Sequence, residues 1–429
     1  MNPRRSHAPL PLPFLAAILI VGAALLGMAQ PAGAAWKLTY RQVATANQPT
    51  SLTSPPGHPR LAYVTERKGK IRILKGGKWL PGPFLDISNR VRTLWIEQGL
   101  LGLAFPPDFR KSHRYYVDYT ARNGDVVIEE YMTYPKDPTR TMPDSRRLIL
   151  RIPHVNDHGN HNGGEIAFLG NELYIAVGDG NDPGDAANNA QNLESLRGKI
   201  LRIDPRGDST TGRTYLIPSS NPYVNKPGRD EIFASGFRNP HSFDFFKPEG
   251  GETMMVISDV GQGRYEELNY LPFKLAWGAN FGWHAYEGIQ PYDCGELCPN
   301  GGPPGITTGL TWPQLVYSHE QGCAIIGGPV IEDPALTTVK GRIIYGDFCA
   351  NRIRTAAAQT TWINDDKGTG VFLPPGKGKH SALNGFGEDG WGRVYALSNF
   401  GGIHLIKQIK VASKPNKPTK PGKKKKKKR

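Results

Sequence analysis

Leu173-Tyr174-Ile175-Ala176-Val177-Gly178-Asp179-Gly180, entered through His161-Asn162-Gly163-Gly164-Glu165-Ile166-Ala167-Phe168, reads as a Gly-rich loop followed by a short apolar strand and a turn. The same theme returns at Leu61–Thr65 with Ile71–Leu74, Tyr115–Tyr119 with Val126–Ile128, Met254–Ser258, Ile343–Asp347 with Arg352–Arg354, and Val394–Ser398 with Ile403–Ile406. Six occurrences spaced by roughly 50 to 90 residues, in a segment rich in Gly and Pro with little helical periodicity, predict an all-β body. Four-stranded blades set radially around a channel leave only short, protected sheet edges. The expectation is a six-bladed β-propeller over residues 36–411 with long loops on one face. A β-helix would need shorter and more regular repeats, and a single sandwich would struggle to use this many strands.

Two flanking segments stand outside this pattern. Arg4 and Arg5 precede an apolar run from Phe14 to Met28, and Ala32-Gly33-Ala34 supplies a small-residue cleavage pattern, so residues 1–35 read as a signal peptide. An exported protein, periplasmic, secreted or held at the cell surface, is expected. Residues 414–429 hold ten positive charges and no acid, so the formal charge of +15 falls to +5 for everything before them. The body is nearly balanced, which removes the signature of a specific nucleic-acid binder. A Lys/Pro tail over 412–429 cannot bury enough apolar surface to fold and is expected to be disordered. Anionic cell-envelope polymers, phospholipid headgroups or nucleic acid are its generic partners, the envelope polymer foremost, with a merely solubilising tail standing equally beside them. The four cysteines admit three pairings, of which Cys294–Cys298 with Cys323–Cys349 is favoured; a zinc site is disfavoured because only Cys294 and Cys298 have ligand-like spacing.

His161 on its glycine loop is a candidate base, since a neutral imidazole can take a hydroxyl proton near neutral pH. Asp179, Asp182 and Asp185 beside Asn188 and Asn189 offer a separate calcium loop, weighed against a plain solvated acidic turn.

Six further segments carry a resemblance: Glu97–Phe105, His161–Gly164, Gly198–Asp204, Gly236–Pro240, Asp259–Gln262 with Glu266–Asn269, and Asn280–Trp283. In this order they resemble the soluble quinoprotein glucose/sorbosone dehydrogenase family, which includes aldose sugar dehydrogenases and a hedgehog-interacting-like branch. That resemblance independently implies a six-bladed propeller. It also implies oxidation of the anomeric carbon of aldoses to lactones with pyrroloquinoline quinone and calcium, and delivery of electrons to an external acceptor. On this basis His161 is the general base and Arg238 the cationic stabiliser of the reduced quinone. Glu97, Arg238 and Asn239 would contact the cofactor, Glu266 would fall near it, and the backbone carbonyls of Gly261 and Gln262 would hold the calcium.

Val260 departs from a polar residue found in one branch, and the basic grip on the quinone carboxylates has only Lys379, Arg352 and Arg354 as candidates. Two alternatives therefore stand beside the dehydrogenase. One is a non-catalytic surface propeller that binds a protein or glycan. The other is a calcium-dependent propeller hydrolase, favoured only if acidic groups converge on the channel axis.

Overall fold

The computed structural model describes residues 35–154, 159–180, 183–207, 210–293, 307–350, 352–372 and 383–411. The signal-peptide expectation, the Lys/Pro tail, Asp182, Lys379, Cys294 and Cys298 all lie outside the described residues.

Among the described residues six antiparallel sheets form the blades, each with one of the six repeated strands as its second member, and a seventh, two-stranded sheet pairs Tyr286–Glu287 with Gln290–Pro291. Blade 1 is built on Pro49–Thr53 and Leu61–Glu66, and blade 2 on Leu100–Ala104 and Arg114–Thr120. Blade 3 comprises Ile166–Leu169, Glu172–Val177, Lys199–Ile203 and Ile232–Ser235. Blade 4 comprises Pro240–Phe246, Met254–Asp259, Tyr265–Pro272 and Leu315–Ser318. Blade 5 runs from Ile325–Val330 through Arg342–Asp347 and Arg352–Ala357 to Asp366–Phe372. Blade 6 begins with Leu383–Glu388 and Val394–Ser398, continues in Gly402–Val411, and takes its outermost strand, Ala35–Thr45, from the other end of the chain. The first strands contact one another in a closed cycle, blade 6 touching blade 1.

The repeated strands are continuous apolar runs, rather than alternating ones, because each blade is covered on both faces. Successive side chains on a strand point to opposite faces. On Glu172–Val177, Leu173, Ile175 and Val177 therefore join the core shared with blade 2, while Tyr174 and Ala176 join the core shared with blade 4. Six such cores occupy the six blade interfaces. Truncating a fully buried Ile such as Ile175 to Ala costs about 2–5 kcal/mol and would open two blades to each other.

This antiparallel order fixes where chemistry can gather. In every blade the start of the first strand, the end of the second and the start of the third lie at one end of the sheet. Glu97 precedes the first strand of blade 2, His161 that of blade 3, and Arg238 and Asn239 that of blade 4. Asp179 follows the second strand of blade 3, while Gly261 and Gln262 follow that of blade 4. All therefore lie on one face, together with the Cys323–Cys349 disulfide that links the corresponding loops of blade 5.

Candidate active site

His161 is buried, with its Nδ1 2.6 Å from Asp179 Oδ1. The other carboxylate oxygen of Asp179 accepts the indole N–H of Trp283 at 2.8 Å. Asp179 is itself fixed by donating its backbone N–H to the carbonyl of Arg238. A carboxylate that accepts the Nδ1 proton sets the tautomer and leaves the Nε2 lone pair as the basic position. Nε2 has no protein partner among the described residues. The backbone at His161 sits at φ +53°, a left-handed conformation that costs a non-glycine residue about 1–3 kcal/mol. Gly163, at φ +71°, makes the turn possible: a Cβ there would lie 2.2 Å from the carbonyl oxygen of Ala176.

Glu97 ties this loop to blade 4. One carboxylate oxygen accepts the backbone N–H of His161 at 2.7 Å and the side-chain amide of Asn239 at 3.2 Å. The Asn239 amide oxygen in turn accepts the N–H of Gly163. Glu97 and Asn239, two of the three residues expected at the cofactor, thus work in the structure as links between the His161 loop and the Arg238 strand entry.

Arg238 donates from Nη1 to the carbonyl of Val260 and from Nε to Gln262 Oε1, while Nη2 has no protein partner among the described residues. The backbone N–H groups of Arg238 and Asn239 go to the two oxygens of Asp259, whose carboxyl burial pushes up to about 7. Val260, where a polar side chain was the alternative, contributes its carbonyl.

The loop after Asp259 is folded around a carboxylate. Glu287 is buried, and its Oε1 accepts the N–H groups of Gln262, Gly263, Arg264 and Tyr265 at 2.8, 2.7, 2.8 and 3.2 Å. In a planar trans peptide the carbonyl of one residue points opposite to the N–H of the next. The carbonyls of Gly261 and Gln262 consequently face away from Glu287, and neither accepts a hydrogen bond among the described residues. Two adjacent carbonyls with open lone pairs suit a hard cation such as calcium. Glycine is required at 261, because a Cβ would lie 1.7 Å from the carbonyl oxygen of Tyr265.

Two expectations are corrected, and one alternative is narrowed. Glu266 is fully buried in protein contacts, bonding His319 at 2.6 Å and the N–H groups of Ile325 and Gly261, so it does not face a cofactor. In the loop weighed as a calcium site or a solvated acidic turn, the described acids are buried and hold protein donors: Asp185 accepts the N–H groups of Asn189 and Ala190, Asp179 bonds His161 and Trp283, and Asn188 bonds His284. The buried ammonium of Lys199 donates to the carbonyls of Asn189, Ala190 and Arg197 beside this loop. Arg354 pairs with Asp366 on the outermost strand of blade 5, and neither it nor Arg352 lines the axial cavity.

That cavity, about 140 Å³, is walled by Glu97, Gly163, Asn239 and Val260 from the loops above and by Thr50, Leu101, Ser242, Ile326 and Gly385 from inner strands. A second cavity of about 220 Å³ continues along the axis and shares Glu165, Ser242, Gly327 and Phe386 with it. Glu165, Asp244 and Glu388 line the second cavity, and burial pushes their carboxyls up to about 8, 7 and 9. These acids share the channel axis, Glu165 and Glu388 each feeling the charge of Asp244, but they are not gathered tightly enough to form a cluster of metal-ligand atoms. Among the described residues the one group of three potential metal-ligand side chains with ligand atoms within 4.8 Å of one another is Cys323, Asp347 and Cys349, whose sulfurs are bridged.

The glucose/sorbosone dehydrogenase family model matches residues 46–366. The chain belongs to this family. It is 28 % identical over 386 residues to the HIPL2 protein of Arabidopsis thaliana, covering 74 % of this chain and 53 % of the relative. It is 29 % identical over 235 residues to the aldose sugar dehydrogenase YliI of Escherichia coli, covering 53 % and 56 %. The chain thus spans about half the length of the curated relatives it matches. A solved structure of the pyrroloquinoline-quinone-bound aldose sugar dehydrogenase from Streptomyces coelicolor superposes with a TM-score of 0.63 at 22 % identity, covering 88 % of this chain and 99 % of that one. At that identity the likeness is one of fold, and the six blades of the family are those described above.

Sequence reasoning missed the roles of Asp179, Trp283 and Glu287. Asp179 followed the very strand that opened the reading and needed only the same-face rule to be paired with His161. Trp283 was part of a quoted family segment without a role, and Glu287 lies in no motif at all.

Proposed function

We propose that this protein is an exported sugar dehydrogenase that oxidises the anomeric carbon of an aldose to the lactone, with pyrroloquinoline quinone and calcium. The observation that carries the reading is the Asp179–His161 pair with an open Nε2, beside an arginine with an open Nη2 and two open carbonyls. The donor set fits the cofactors: Gly261 and Gln262 would hold calcium through their carbonyls, and Arg238 would meet an anionic oxygen of the quinone. Bound quinone supplies the two-electron acceptor for hydride leaving C1.

The chain's own residues then do the following. His161 takes the proton of the C1 hydroxyl on Nε2, while Asp179 stabilises the imidazolium that forms. Arg238 places positive charge where negative charge develops on the oxidant. Glu97 and Asn239 hold the two loops in register, so the base and the cation keep a fixed separation. Residues 1–35 direct export, 36–411 form the catalytic propeller, and 412–429 tether it to an anionic envelope polymer. An aldose is the substrate and an external acceptor removes the electrons.

A second reading, a non-catalytic propeller binding a protein or glycan, draws on the commitment of Arg354, one candidate for the grip on the quinone carboxylates, to Asp366. Titrating calcium-loaded apo-protein with the quinone, then assaying dye reduction across several aldoses, separates the two. Saturable binding with sugar-dependent reduction, abolished in His161→Ala with the fold intact, is expected. No binding at micromolar quinone moves the weight to the binding propeller.

A further inference from the structure

Arg67 follows the second strand of blade 1, so it stands on the face that carries His161, Arg238 and the Gly261-Gln262 carbonyls. Its place is fixed through both backbone and side chain. The backbone N–H donates to the carbonyl of Gln48 at 3.0 Å, and the Arg67 carbonyl accepts the N–H of Leu100 at 2.9 Å. The side-chain stem crosses Gly99, where a Cβ would lie 2.4 Å from Arg67 Cγ. The guanidinium then donates from Nε to Gln48 Oε1 at 3.1 Å and from Nη1 to the carbonyls of Trp95 and Gln98, both at 2.9 Å. A guanidinium has five N–H donors, and these three bonds leave the two on Nη2.

All three acceptors are neutral. Among the described residues no carboxylate lies within ion-pair distance of Arg67, whereas Arg147, Arg342 and Arg354 each pair with one. Half-buried with no acid beside it, the guanidinium is held below its ordinary pKa by burial alone. Removing a charge from water without a counter-charge is costly, so this cation is built in advance of an anion. Arg67 lines the axial cavity, which neither Arg352 nor Arg354 does. The other titratable groups on that wall are Glu97, Glu165 and His241. One oxygen of Glu97 already serves His161 and Asn239, while burial pushes Glu165 up to about 8 and His241 down, so both favour their uncharged forms at neutral pH. In the closed cycle of six, blade 1 stands opposite blade 4. Arg67 and Arg238 therefore lie on opposite sides of the axis, each with an open Nη2.

We infer that Arg67 is a carboxylate-binding residue of the axial cavity, meeting an acid group of the bound quinone from the side opposite Arg238. The inference rests on the dehydrogenase reading proposed above. Two N–H donors on one charged nitrogen suit a carboxylate oxygen, and such charge-assisted bonds are stronger than neutral ones. Because three bonds already hold the guanidinium, little side-chain freedom remains to be lost when the anion arrives. Arg67 lies in none of the segments that carry the family resemblance. What marks it is a full set of neutral acceptors with two donors left over.

Binding of pyrroloquinoline quinone and of its trimethyl ester to the calcium-loaded apo-protein, followed by tryptophan fluorescence, separates charge recognition from loop shape. Arg67→Gln should lose about 10- to 100-fold in affinity for the tricarboxylate, the worth of a charge-assisted hydrogen bond, and less than about threefold for the ester, which has no charge to recognise. Arg67→Lys should recover part of the loss. Equal losses for the two ligands would reduce Arg67 to a strut for Trp95 and Gln98 and overturn the inference, as would unchanged affinity for both. Selective loss in a protein that oxidises no sugar upholds Arg67 while the proposed activity fails; sugar oxidation with equal losses does the reverse. A parent that binds neither ligand refutes both. Should Arg67→Gln not fold, or the ester not bind, 15N-arginine NMR of the parent decides, with the Arg67 signals assigned by their loss in Arg67→Lys. Saturating quinone should move the Nη2 protons downfield, and unmoved signals overturn the inference.

Discussion

Replacing Glu287 with Gln tests whether the loop after Asp259 is shaped by one carboxylate. Glu287 Oε1 accepts four backbone N–H groups at 2.7 to 3.2 Å in a buried position. Hydrogen bonds to a charged acceptor contribute about 1.5–3 kcal/mol and neutral ones about 0.5–1.5, so loss of charge removes about 1 kcal/mol per bond. Four bonds would give about 4 kcal/mol if independent; they share one oxygen, and the amide is easier to bury than the carboxylate, so about half that is the expected net. With an unfolding entropy of about 2.1 cal/mol/K per residue over some 375 residues, about 2 kcal/mol lowers Tm by only about 2–3 °C. The larger effect should be on metal. The four N–H groups aim the Gly261 and Gln262 carbonyls outward, and a loosened loop no longer presents them as a pair. Calorimetric titration of apo-protein should show calcium affinity reduced about tenfold or more, which is about 1.4 kcal/mol, while the calcium-dependent rise in Tm shrinks. A variant that loses stability but binds calcium within twofold of the parent would refute the assignment of these carbonyls. A variant unchanged in both would refute the role given to Glu287.

In Asp179→Asn the amide keeps one acceptor for two donors, and because Trp283 can only donate, His161 should give way by moving its proton to Nε2; reconstituted activity should fall about 100- to 10,000-fold with quinone binding retained, and a loss under threefold would count against the pair. Burial beside Asp244 and Asp118 raises Glu165 from 4.5 to about 8, so folding favours its protonated form. That contribution is fully present below about pH 4.5 and lost as pH rises through about 8, since the unfolded chain ionises first. Glu165→Gln, a mimic of the protonated acid, should therefore leave Tm near the parent's value at low pH and raise it relative to the parent at high pH, and a pH-independent difference would refute this. Deleting residues 412–429 should abolish salt-sensitive binding to anionic vesicles without changing turnover, and binding that ignores both salt and the deletion would exclude tethering.

The repeats were legible because burial on both faces makes the second strand of each blade a continuous apolar run, as in Met254–Asp259 and Arg342–Asp347. Outer strands are half solvated and carry no such signal: Asp137–Thr141 and Asp366–Phe372 are polar or Gly-containing and read as loop. The closing strand Ala35–Thr45 was invisible for another reason, since its partner Gly402–Val411 lies at the far end of the chain and no local pattern encodes that pairing.

The same contrast governs the site. His161, Arg238 and the Gly261-Gln262 carbonyls were found through motifs, which mark residues whose local backbone is unusual or whose neighbours are fixed. Spacing left Asp179, Asp185 and Asn189 open between a metal loop and a solvated acidic turn, and the fold buries all three. Spacing shows that ligand atoms are near one another, but not whether the fold has already assigned them donors. Here it has: Asp185 caps two peptide N–H groups, and Asp179 holds an imidazole and an indole. Trp283 lies 104 residues from Asp179, and Glu287 lies 25 from Gln262. Such partners come together only because antiparallel blades return alternate strand ends to one face. A functional reading of a propeller sequence therefore gains most by first deciding which loops share a face, and only then asking which of their polar groups remain without partners.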